Sequence, residues 1–356
     1  MAKDFIKGRG AQQNAPNAFL QFTSEWRDDF LEYCLKEGEL ADENKTTYLP
    51  VFPKSIVNKV TSPDVGMAYS MNPYQGCEHG CIYCYARNTH EYWGYSAGLD
   101  FERKILIKEN APKLLEAKLK SKNWVPMTIV LSGNTDCYQP AEKSYKITRA
   151  CLEVFLEYKH PVGIITKNSL LLRDLDLLKE LNKYGLIGVN ISVTTLSEKT
   201  RRLLEPRTTT IAKRLEIIKI LSAHHIPVNA MLAPMIPGIN SHELLKLART
   251  AADCGALSFA YTVVRLNGPI GQLFTDWIQR TMPDKAEKVL NQIANCHGGS
   301  LHDSRIGIRG RGEGKLAQQL QEMARIARQN YFRHREFPKL NTTLFNAAKE
   351  RQLKLF

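Results

Sequence analysis

Six short apolar runs that alternate with helical patterns constrain the fold of this chain more than any other sequence feature. The runs cover residues 67–74, 127–133, 162–167, 186–194, 227–234 and 257–265. They are rich in β-branched and aromatic residues and almost continuously apolar, as strands buried on both faces are. Because helical segments separate them, the alternation predicts a parallel sheet with right-handed crossovers. The sequence therefore predicts an α/β fold.

The segments between these runs have the spacing and the end signals of helices. Pro112 lies in the first turn of one segment, and two others stop at Gly185 and Gly255. Residues 141–158 are predicted as one continuous helix. Six strand–helix units are too few for a closed eight-unit barrel, which leaves a partial (β/α)6 TIM-type barrel or a doubly wound sheet. In both folds ligands bind beyond the carboxyl ends of the strands, so the residues just after each run are the candidate site residues.

Two extensions flank the predicted core. We expect an N-terminal extension over 1–60, the core over 61–268 and a basic helical C-terminal extension over 269–356. About 15 residues at the start are rich in Gly, Asn and Gln, which predicts mobility. The segment 19–40 has the pattern of a short amphipathic helix.

Composition indicates a globular protein of the cytoplasm. Hydrophobic residues make up 43% of the chain and charged residues 24%. No apolar run approaches the roughly 20 residues that a membrane span needs, and the N-terminus lacks the apolar stretch of a secretory signal. Of the eight cysteines only three are clustered, whereas a secreted disulfide scaffold is shorter and denser in cysteine. We therefore expect a cytoplasmic protein that has no membrane partner.

The positive charge is unevenly distributed. The formal net charge is +13, and residues 301–356 contain 12 Lys or Arg against 5 Asp or Glu. Such a basic region permits a polyanionic partner, DNA or RNA, with Arg305, Arg309 and Arg311 as candidate phosphate contacts. A solvated basic helix is the alternative. For the aromatic residues of this region we prefer core packing to base stacking.

The three clustered cysteines lie in the stretch "YQGCEHGCIYCYAR" as Cys77, Cys81 and Cys84. Structural zinc sites usually combine two cysteine pairs, and here a fourth ligand would have to be His79 or His90. Iron–sulfur clusters are held by thiolates, and a four-iron cluster with three protein thiolates has one iron left for another ligand. An open metal position allows a substrate or cofactor to coordinate.

With this spacing and with the aromatic Tyr83 just before the last cysteine, the sequence resembles the radical S-adenosylmethionine (SAM) superfamily. The resemblance implies the partial (β/α)6 barrel rather than the doubly wound sheet. It also implies a [4Fe–4S] cluster on Cys77, Cys81 and Cys84 whose fourth iron binds the amino and carboxylate groups of SAM. An electron from the cluster would cleave SAM to a 5′-deoxyadenosyl radical, which abstracts hydrogen from a substrate. It also implies an electron donor such as flavodoxin or ferredoxin.

Further segments narrow the resemblance. "SGNTDCYQPAE", "ITKN", "ISVTT" and "LEPRT" are similar to the family of spore photoproduct lyase and its relatives described as DNA repair photolyases, over about residues 60–265. This implies lyase chemistry on DNA or RNA. The flanking regions resemble a bacterial subgroup of that family, for which the resemblance implies no particular reaction.

Five further residues match cofactor-binding positions of that family. Thr135 and Asp136 match a hydroxyl residue and an aspartate near SAM, and Lys167 matches a lysine whose ammonium suits the SAM carboxylate. Ser192 matches a serine at the same end of SAM, and Ala233 matches backbone near the adenine. The alternatives are an exposed lysine at a helix start and a strand serine bonded to nearby backbone.

One position departs from the family pattern. The lyase has a hydrogen-donating cysteine three residues before its aspartate, where this chain has Gly133. Cys137 lies on the other side of Asp136, and adjacent side chains of an extended chain face opposite ways, which opposes a simple substitution. Cys137 remains a catalytic candidate, and a small buried side chain is the alternative.

Three candidates in the loop after the second strand and two in "LEPRT" have both functional and structural interpretations. Tyr138, Gln139 and Glu142 could contact substrate or start a helix. Glu205 and Arg207 could meet the SAM carboxylate or a phosphate, or form a surface ion pair.

The leading hypothesis for the function is radical chemistry on a nucleic acid or nucleotide. The second is radical modification of a protein or small molecule, and the third is a non-catalytic iron–sulfur or zinc protein.

Overall fold

The computed structural model describes residues 5–19 and 45–345. The helix predicted for 19–40 lies, apart from its first residue, outside the described residues, and so does Cys34. Within the described part the strands are, in chain order, β1 (Thr47–Pro50), β2 (Val57–Lys59), β3 (Tyr69–Met71), β4 (Tyr74–Gln75), β5 (Lys104–Ile107), β6 (Ile129–Leu131), β7 (Val162–Thr166), β8 (Ile187–Ser192), β9 (Val228–Met231) and β10 (Ser258–Ala260).

The main sheet confirms the predicted six-unit partial barrel. Its order is β10-β9-β8-β7-β6-β3-β2, in which β3 and β6 to β10 pair in parallel and follow their order along the chain. Strand β2 is added antiparallel to β3 at one edge. Each of the six predicted runs contains one of the parallel strands. Their side chains are buried on both faces, as at the adjacent residues Ile129, Val130 and Leu131 of β6, which explains why the runs are almost continuously apolar.

The helices follow the strands in the alternation that the sequence predicts. In chain order they are α1 (Leu99–Arg103), α2 (Ala111–Leu119), α3 (Glu142–Tyr145), α4 (Ile147–Glu157), α5 (Leu175–Lys183), α6 (Glu198–Leu204), α7 (Ile211–Ala223), α8 (Leu244–Asp253), α9 (Pro269–Thr281), α10 (Pro283–Asn295) and α11 (Gly314–Tyr331). Helical 3-10 turns span Tyr85–Trp93, Ser169–Asp174 and Ser241–Glu243. Among these helices none is long and apolar enough to cross a membrane.

Two helix ends match the prediction and one helix does not. The chain turns at Gly185 and Gly255, both with positive φ, just after α5 and α8. The continuous helix predicted for 141–158 is wrong, because the chain breaks between α3 and α4. Lys146 adopts a φ of 53° at the break. The buried Glu142 carboxylate accepts hydrogen bonds from the first backbone amides of α4, which satisfies donors that a helix start otherwise leaves free.

A small second sheet, absent from the sequence prediction, frames the cysteine segment. Its order is β1-β5-β4, with β1 parallel and β4 antiparallel to β5. Strand β4 immediately precedes the cysteines, and β5 follows the helical turns after them. The segment is therefore anchored at both ends by one sheet.

The N-terminal residues pack against the rest of the chain. The sequence predicts mobility here, yet Arg9, Ala11, Gln12 and Ala15 are all buried. This prediction is wrong for residues 5–15, because the segment finds hydrogen-bond partners about 90 residues away in the chain.

Candidate cofactor-binding site

A cavity of about 500 Å³ opens at the carboxyl ends of the parallel strands. Its volume lies in the range that binds small molecules and cofactors. Most of its wall comes from residues at or just after the strand ends, as the sequence predicts: Ser132, Gly133, Asn134, Asp136, Ile165, Thr166, Lys167, Ser192, Met231, Ala233, Pro234 and Ala260 to Arg265. The wall is completed by Cys81, Tyr83, Cys84, Tyr85, a loop that contains Asp64, and Arg309 with Gly310.

The three clustered cysteines form a compact loop that reaches this cavity. Cys81 and Cys84 lie on the wall, and Cys77 is buried beside Phe101 and Ala86. The loop is held by its own backbone, since the Cys84 amide donates to the Cys81 carbonyl at 3.3 Å. Its first cysteine is tied to α1, because the Cys77 amide donates to the Phe101 carbonyl at 2.8 Å. None of the three is in a disulfide.

Burial controls the protonation of the Cys77 and Cys81 thiols. It raises the pKa of Cys77 well above its ordinary value. Burial also raises the pKa of Cys81 to about 12, although the nearby Lys167 ammonium acts in the opposite direction. Both groups are therefore neutral thiols in the metal-free chain, and a metal that binds them must displace their protons.

A network of buried charged groups lies behind the wall. The Glu205 carboxylate accepts hydrogen bonds from the Tyr83 hydroxyl, from the Thr194 hydroxyl at 2.8 Å and from the Arg214 guanidinium at 2.6 Å. Arg214 also donates to the Ser192 carbonyl at 3.1 Å, next to the cavity. Glu205 and Arg214 are almost completely buried, so their charges are paired rather than solvated.

The same network sets the charge of Lys167. Burial alone would lower the pKa of Lys167, but its interactions with the acidic groups beside it, the Cys81 thiol and the Glu205 carboxylate, outweigh burial and raise the pKa. Burial would likewise raise the pKa of Glu205, but Arg214 and Lys167 hold it at about 2. The cavity wall therefore presents a stable ammonium beside the cysteine loop.

Asp136 links three segments at the bottom of the cavity. Its carboxylate accepts hydrogen bonds from the Thr166 hydroxyl and the Lys167 amide, each at 2.8 Å, and lies 3.4 Å from His79 Nδ1. Burial would raise the pKa of Asp136, but His79 and the backbone amides of Lys167 and Tyr138 lower it. The Asp136 backbone lies beside the Cys77 thiol and opposes the rise in the pKa of that thiol. Asp136 therefore fixes the end of β7 relative to the first cysteine.

The structure brings most of the predicted site residues together and separates two. Tyr83, Asp136, Lys167, Ser192 and Ala233 lie on the cavity wall with Cys81 and Cys84. Thr135 does not line the cavity, and its hydroxyl donates to the Tyr74 carbonyl at 2.6 Å. Cys137 is completely buried in the main hydrophobic core, away from the wall.

Five other candidates have structural partners. The Tyr138 hydroxyl donates to Asp174 at 3.1 Å, Gln139 binds backbone on both sides of Cys77, and Glu142 starts α4. His79 supports Asp136 as described. His90 is completely buried against Phe101, and burial lowers the pKa of His90 to about 4, so its ring is neutral.

The outer part of the cavity contains residues that the sequence pattern did not single out. Arg265 lies at the end of the sixth predicted run, and Tyr261 and Asp64 lie nearby on the wall. Arg309, which the sequence suggests as a phosphate contact, is paired with Asp64 at 2.5 Å. Arg265 donates to the Asp303 carbonyl at 3.3 Å. The position of Arg265 at the carboxyl end of a predicted strand was the signal that could have identified it.

Comparison with known proteins decides the family. The sequence pattern of the Radical SAM superfamily matches residues 71–251, slightly more than half of the chain. The chain belongs to the radical SAM superfamily. This superfamily uses a [4Fe–4S] cluster and SAM, so the prediction of these cofactors is confirmed at the level of the family.

Two relatives are similar to this radical SAM chain in sequence, and one solved structure is similar to it in fold. An uncharacterised protein of Mycobacterium tuberculosis is 32% identical over 241 residues, which are 67% of this chain and 71% of that protein. A radical SAM Nalpha-GlyT isomerase of Pseudomonas phage M6 is 27% identical over 183 residues, 51% of this chain and 36% of the isomerase. Spore photoproduct lyase complexed with dinucleoside spore photoproduct shares the fold, with a TM-score of 0.60 at 16% identity over 82% of this chain and 81% of the lyase.

The donor set fits the cofactors of the family. Three free thiols on one buried loop are the ligand type that iron–sulfur clusters take. Within residues 5–19 and 45–345, no three side chains of His, Cys, Asp or Glu are grouped closely enough to hold a single metal ion. In a four-iron cluster each thiolate binds a different iron, so its ligands are spread more widely than those of one ion. Beside the loop, a lysine ammonium and a serine offer partners for the charged groups of an amino acid.

Proposed function

We propose that this radical SAM protein is an enzyme that reductively cleaves SAM and abstracts hydrogen from a nucleic acid or nucleotide. When bound, the cluster and SAM together supply a 5′-deoxyadenosyl radical. The protein's part is to hold both cofactors in one cavity, to exclude water from them and to place a substrate beside them. An electron donor such as flavodoxin or ferredoxin is part of this proposal.

The cysteine loop supports the cluster assignment. Cys77, Cys81 and Cys84 are the proposed ligands, and Cys81 and Cys84 reach the cavity wall where the open iron position is needed. Tyr83 is fixed by Glu205 and forms the wall beside them. The loop is held by backbone hydrogen bonds that need no metal, which favours a site whose ligands are already arranged before iron binds.

The charge of the wall supports the SAM assignment. The Lys167 ammonium suits the carboxylate of SAM, and Ser192 lies beside it with a backbone fixed by Arg214. Ala233, on the β9 side of the cavity, is the proposed contact to the adenine. Asp136 supports this site by positioning Lys167, whose backbone amide donates to its carboxylate. Thr135 and Cys137 do not line the cavity and have no part in this assignment.

The observation that supports a nucleic acid substrate is the pair of arginines on the outer wall. Arg265 and Arg309 lie close enough that burial and Arg309 together lower the pKa of Arg265. Asp64 is the carboxylate on this wall and is engaged by Arg309 and by the Gly307 amide. The half-buried Arg265 guanidinium is thus left with a positive charge that a phosphate could balance.

A rearrangement of the substrate is the second candidate, and Gly133 favours it. A side chain at this position would place its Cβ 2.7 Å from the Cβ of Ser70, so a cysteine does not fit here. Among the described residues on the cavity wall, the thiols are those of Cys81 and Cys84, the proposed cluster ligands. A product radical without a spare thiol would recover its hydrogen from 5′-deoxyadenosine, as a rearrangement requires. The relative named as a radical SAM isomerase is 27% identical to this chain over 183 residues.

The test follows the abstracted hydrogen. Reconstituted, reduced protein is incubated with SAM and with undamaged or ultraviolet-irradiated DNA that carries deuterium in its thymine methyl groups. Deuterium that accumulates in 5′-deoxyadenosine supports cleavage of the substrate, in which the abstracted hydrogen is not given back to the product. Deuterium that returns to a rearranged product supports the second candidate. A rate of 5′-deoxyadenosine formation unaffected by any DNA or RNA would contradict the nucleic acid substrate.

A further inference from the structure

The N-terminal residues 5–15, here called the strap, make unusually close contact with the cysteine loop. A Cβ atom added at Gly10 would lie 1.8 Å from the carbonyl oxygen of Gly80. Because real side chains cannot approach a backbone oxygen so closely, only glycine allows the strap to lie this near. Gly80 lies between Cys77 and Cys81, so the strap rests directly on the segment that joins two cysteines.

A buried carboxylate fastens the strap. Glu102 accepts hydrogen bonds from the Gly10 amide at 3.1 Å and from the Ala11 amide at 2.8 Å. The same carboxylate forms an ion pair with Arg87 at 2.5 Å. Both Glu102 and Arg87 are completely buried. Such a charge pair in the interior is costly to disturb, because loss of either partner leaves the other uncompensated.

The residues around Glu102 hold the backbone of two cysteines. The Arg87 Nε donates to the Cys81 carbonyl at 3.0 Å. The carbonyl of Phe101, next to Glu102, accepts the Cys77 amide at 2.8 Å. A chain of contacts therefore runs from the strap amides through Glu102 and Arg87 to Cys81.

The strap covers a part of the loop that does not face the cavity, since no strap residue lines the cavity wall. Ala11 and Ala15 instead pack in one hydrophobic cluster with Cys81 and Ile82. The cysteine loop thus has a cavity side, where small molecules arrive, and a covered side, from which the strap excludes water.

We propose that the strap and Glu102 are positioning elements that hold Cys77 and Cys81 ready for the cluster and shield it from water. The inference rests on the proposed cluster ligands and goes beyond the proposed reaction. It states that a segment outside the cavity influences how firmly the cluster is retained and what its reduction potential is. Partners that orient metal ligands, and the exposure of a cluster to solvent, are known determinants of affinity and potential.

The test uses the full chain with two strap variants. Gly10→Ala introduces the clash with Gly80. Gln12→Ala removes a side chain that holds the strap together, since its amide donates to the Arg9 carbonyl at 2.9 Å. The matched control is Gly66→Ala, where an added Cβ meets no atom within 4 Å.

Two measurements on the reconstituted proteins are decisive. In both strap variants we expect a chelator to remove iron about 10-fold faster than in wild type or the control. The midpoint potential should shift to a more positive value, because admitted water stabilises the extra negative charge of the reduced cluster. Unchanged rates and potentials would overturn the inference. A second result would also overturn the inference: faster iron loss at an unchanged midpoint potential, together with a matching fall in the Tm of the metal-free chain. That result would show that the strap only stabilises the fold.

A measurement without iron separates this inference from the proposed function. In the metal-free chain, alkylation of Cys77 and Cys81 should be at least several-fold faster in the strap variants, with the core residue Cys151 as the internal reference. Equal alkylation in all variants would overturn the role of the strap. Failure of the wild-type chain to bind iron at all would contradict the proposed function instead.

Discussion

The inner and the outer ends of the cavity differ in how their charges are balanced. At the inner end, two basic groups, Lys167 and Arg214, lie beside two acidic groups, Glu205 and Asp136, and Arg214 forms a buried ion pair with Glu205. At the outer end, the positive charges of Arg265 and Arg309 exceed that of Asp64, and the side chains are partly exposed. A fixed and balanced environment suits cofactors that are the same in every turnover. A half-exposed surplus of positive charge suits a substrate that brings its own negative charge.

The largest expected effect tests the inner end. Replacement of Cys77, Cys81 or Cys84 singly by Ala should abolish the visible absorbance of the reconstituted cluster, because a four-iron cluster with two protein thiolates is not retained. Cys254→Ala is the control, since Cys254 lies in the core away from the loop. A variant of the three that kept the full iron content and absorbance would contradict the ligand assignment.

The second-largest effect compares how much the ion pair at each end of the cavity contributes to the free energy of unfolding. Glu205→Gln should lower the free energy of unfolding of the metal-free chain by about 3 kcal/mol or more, because it leaves Arg214 buried without its partner. Asp64→Asn, at the partly exposed outer end, should cost clearly less. Urea denaturation measures both. Equal losses of unfolding free energy in the two variants would contradict the difference in charge burial between the two ends.

A smaller effect concerns the outer end alone. Arg265→Gln should weaken the binding of a DNA oligonucleotide at low salt and reduce the slope of log affinity against log salt by about one. The control is Arg249→Gln on α8, an exposed arginine that lies outside the cavity wall. Fluorescence anisotropy at several salt concentrations measures the slope. An identical slope for Arg265→Gln and wild type would remove Arg265 from the proposed contact.

The smallest effect is a pH dependence of the inner end. Arg214 and Lys167 hold the pKa of Glu205 at about 2, below its ordinary 4.5. The lowered pKa stabilises the fold fully above pH 4.5, and this contribution is lost as the pH falls towards 2. The difference in unfolding free energy between wild type and Glu205→Gln should therefore be constant near neutral pH and shrink only below about pH 4.5. A difference that shrinks already near neutral pH would show that Glu205 is not held ionised.

The core of the fold was predictable from the sequence because it depends on local patterns. Apolar runs of strand length and helices of regular spacing are consequences of burial on both faces of a parallel sheet. The position of Lys167 and Ser192 at strand ends follows from the same alternation. The helix break at Lys146 was not predictable, because it depends on a carboxylate that caps the following helix.

The rest of the site depends on contacts between distant parts of the chain. The fastening of Gly10 by Glu102 spans 92 residues, and the pairing of Arg309 with Asp64 spans 245 residues. No periodicity records such contacts. The same limit explains Cys137, whose position next to Asp136 suggested a role in catalysis but whose side chain turns into the core.

Formation of 5′-deoxyadenosine tests the central claim most directly. Anaerobically reconstituted wild-type protein is reduced, mixed with SAM and compared with Cys81→Ala treated in the same way. We expect wild type to release 5′-deoxyadenosine and methionine, and the variant to release neither. A wild-type protein that carries the cluster and binds SAM but yields no 5′-deoxyadenosine, with or without nucleic acid present, would contradict the account.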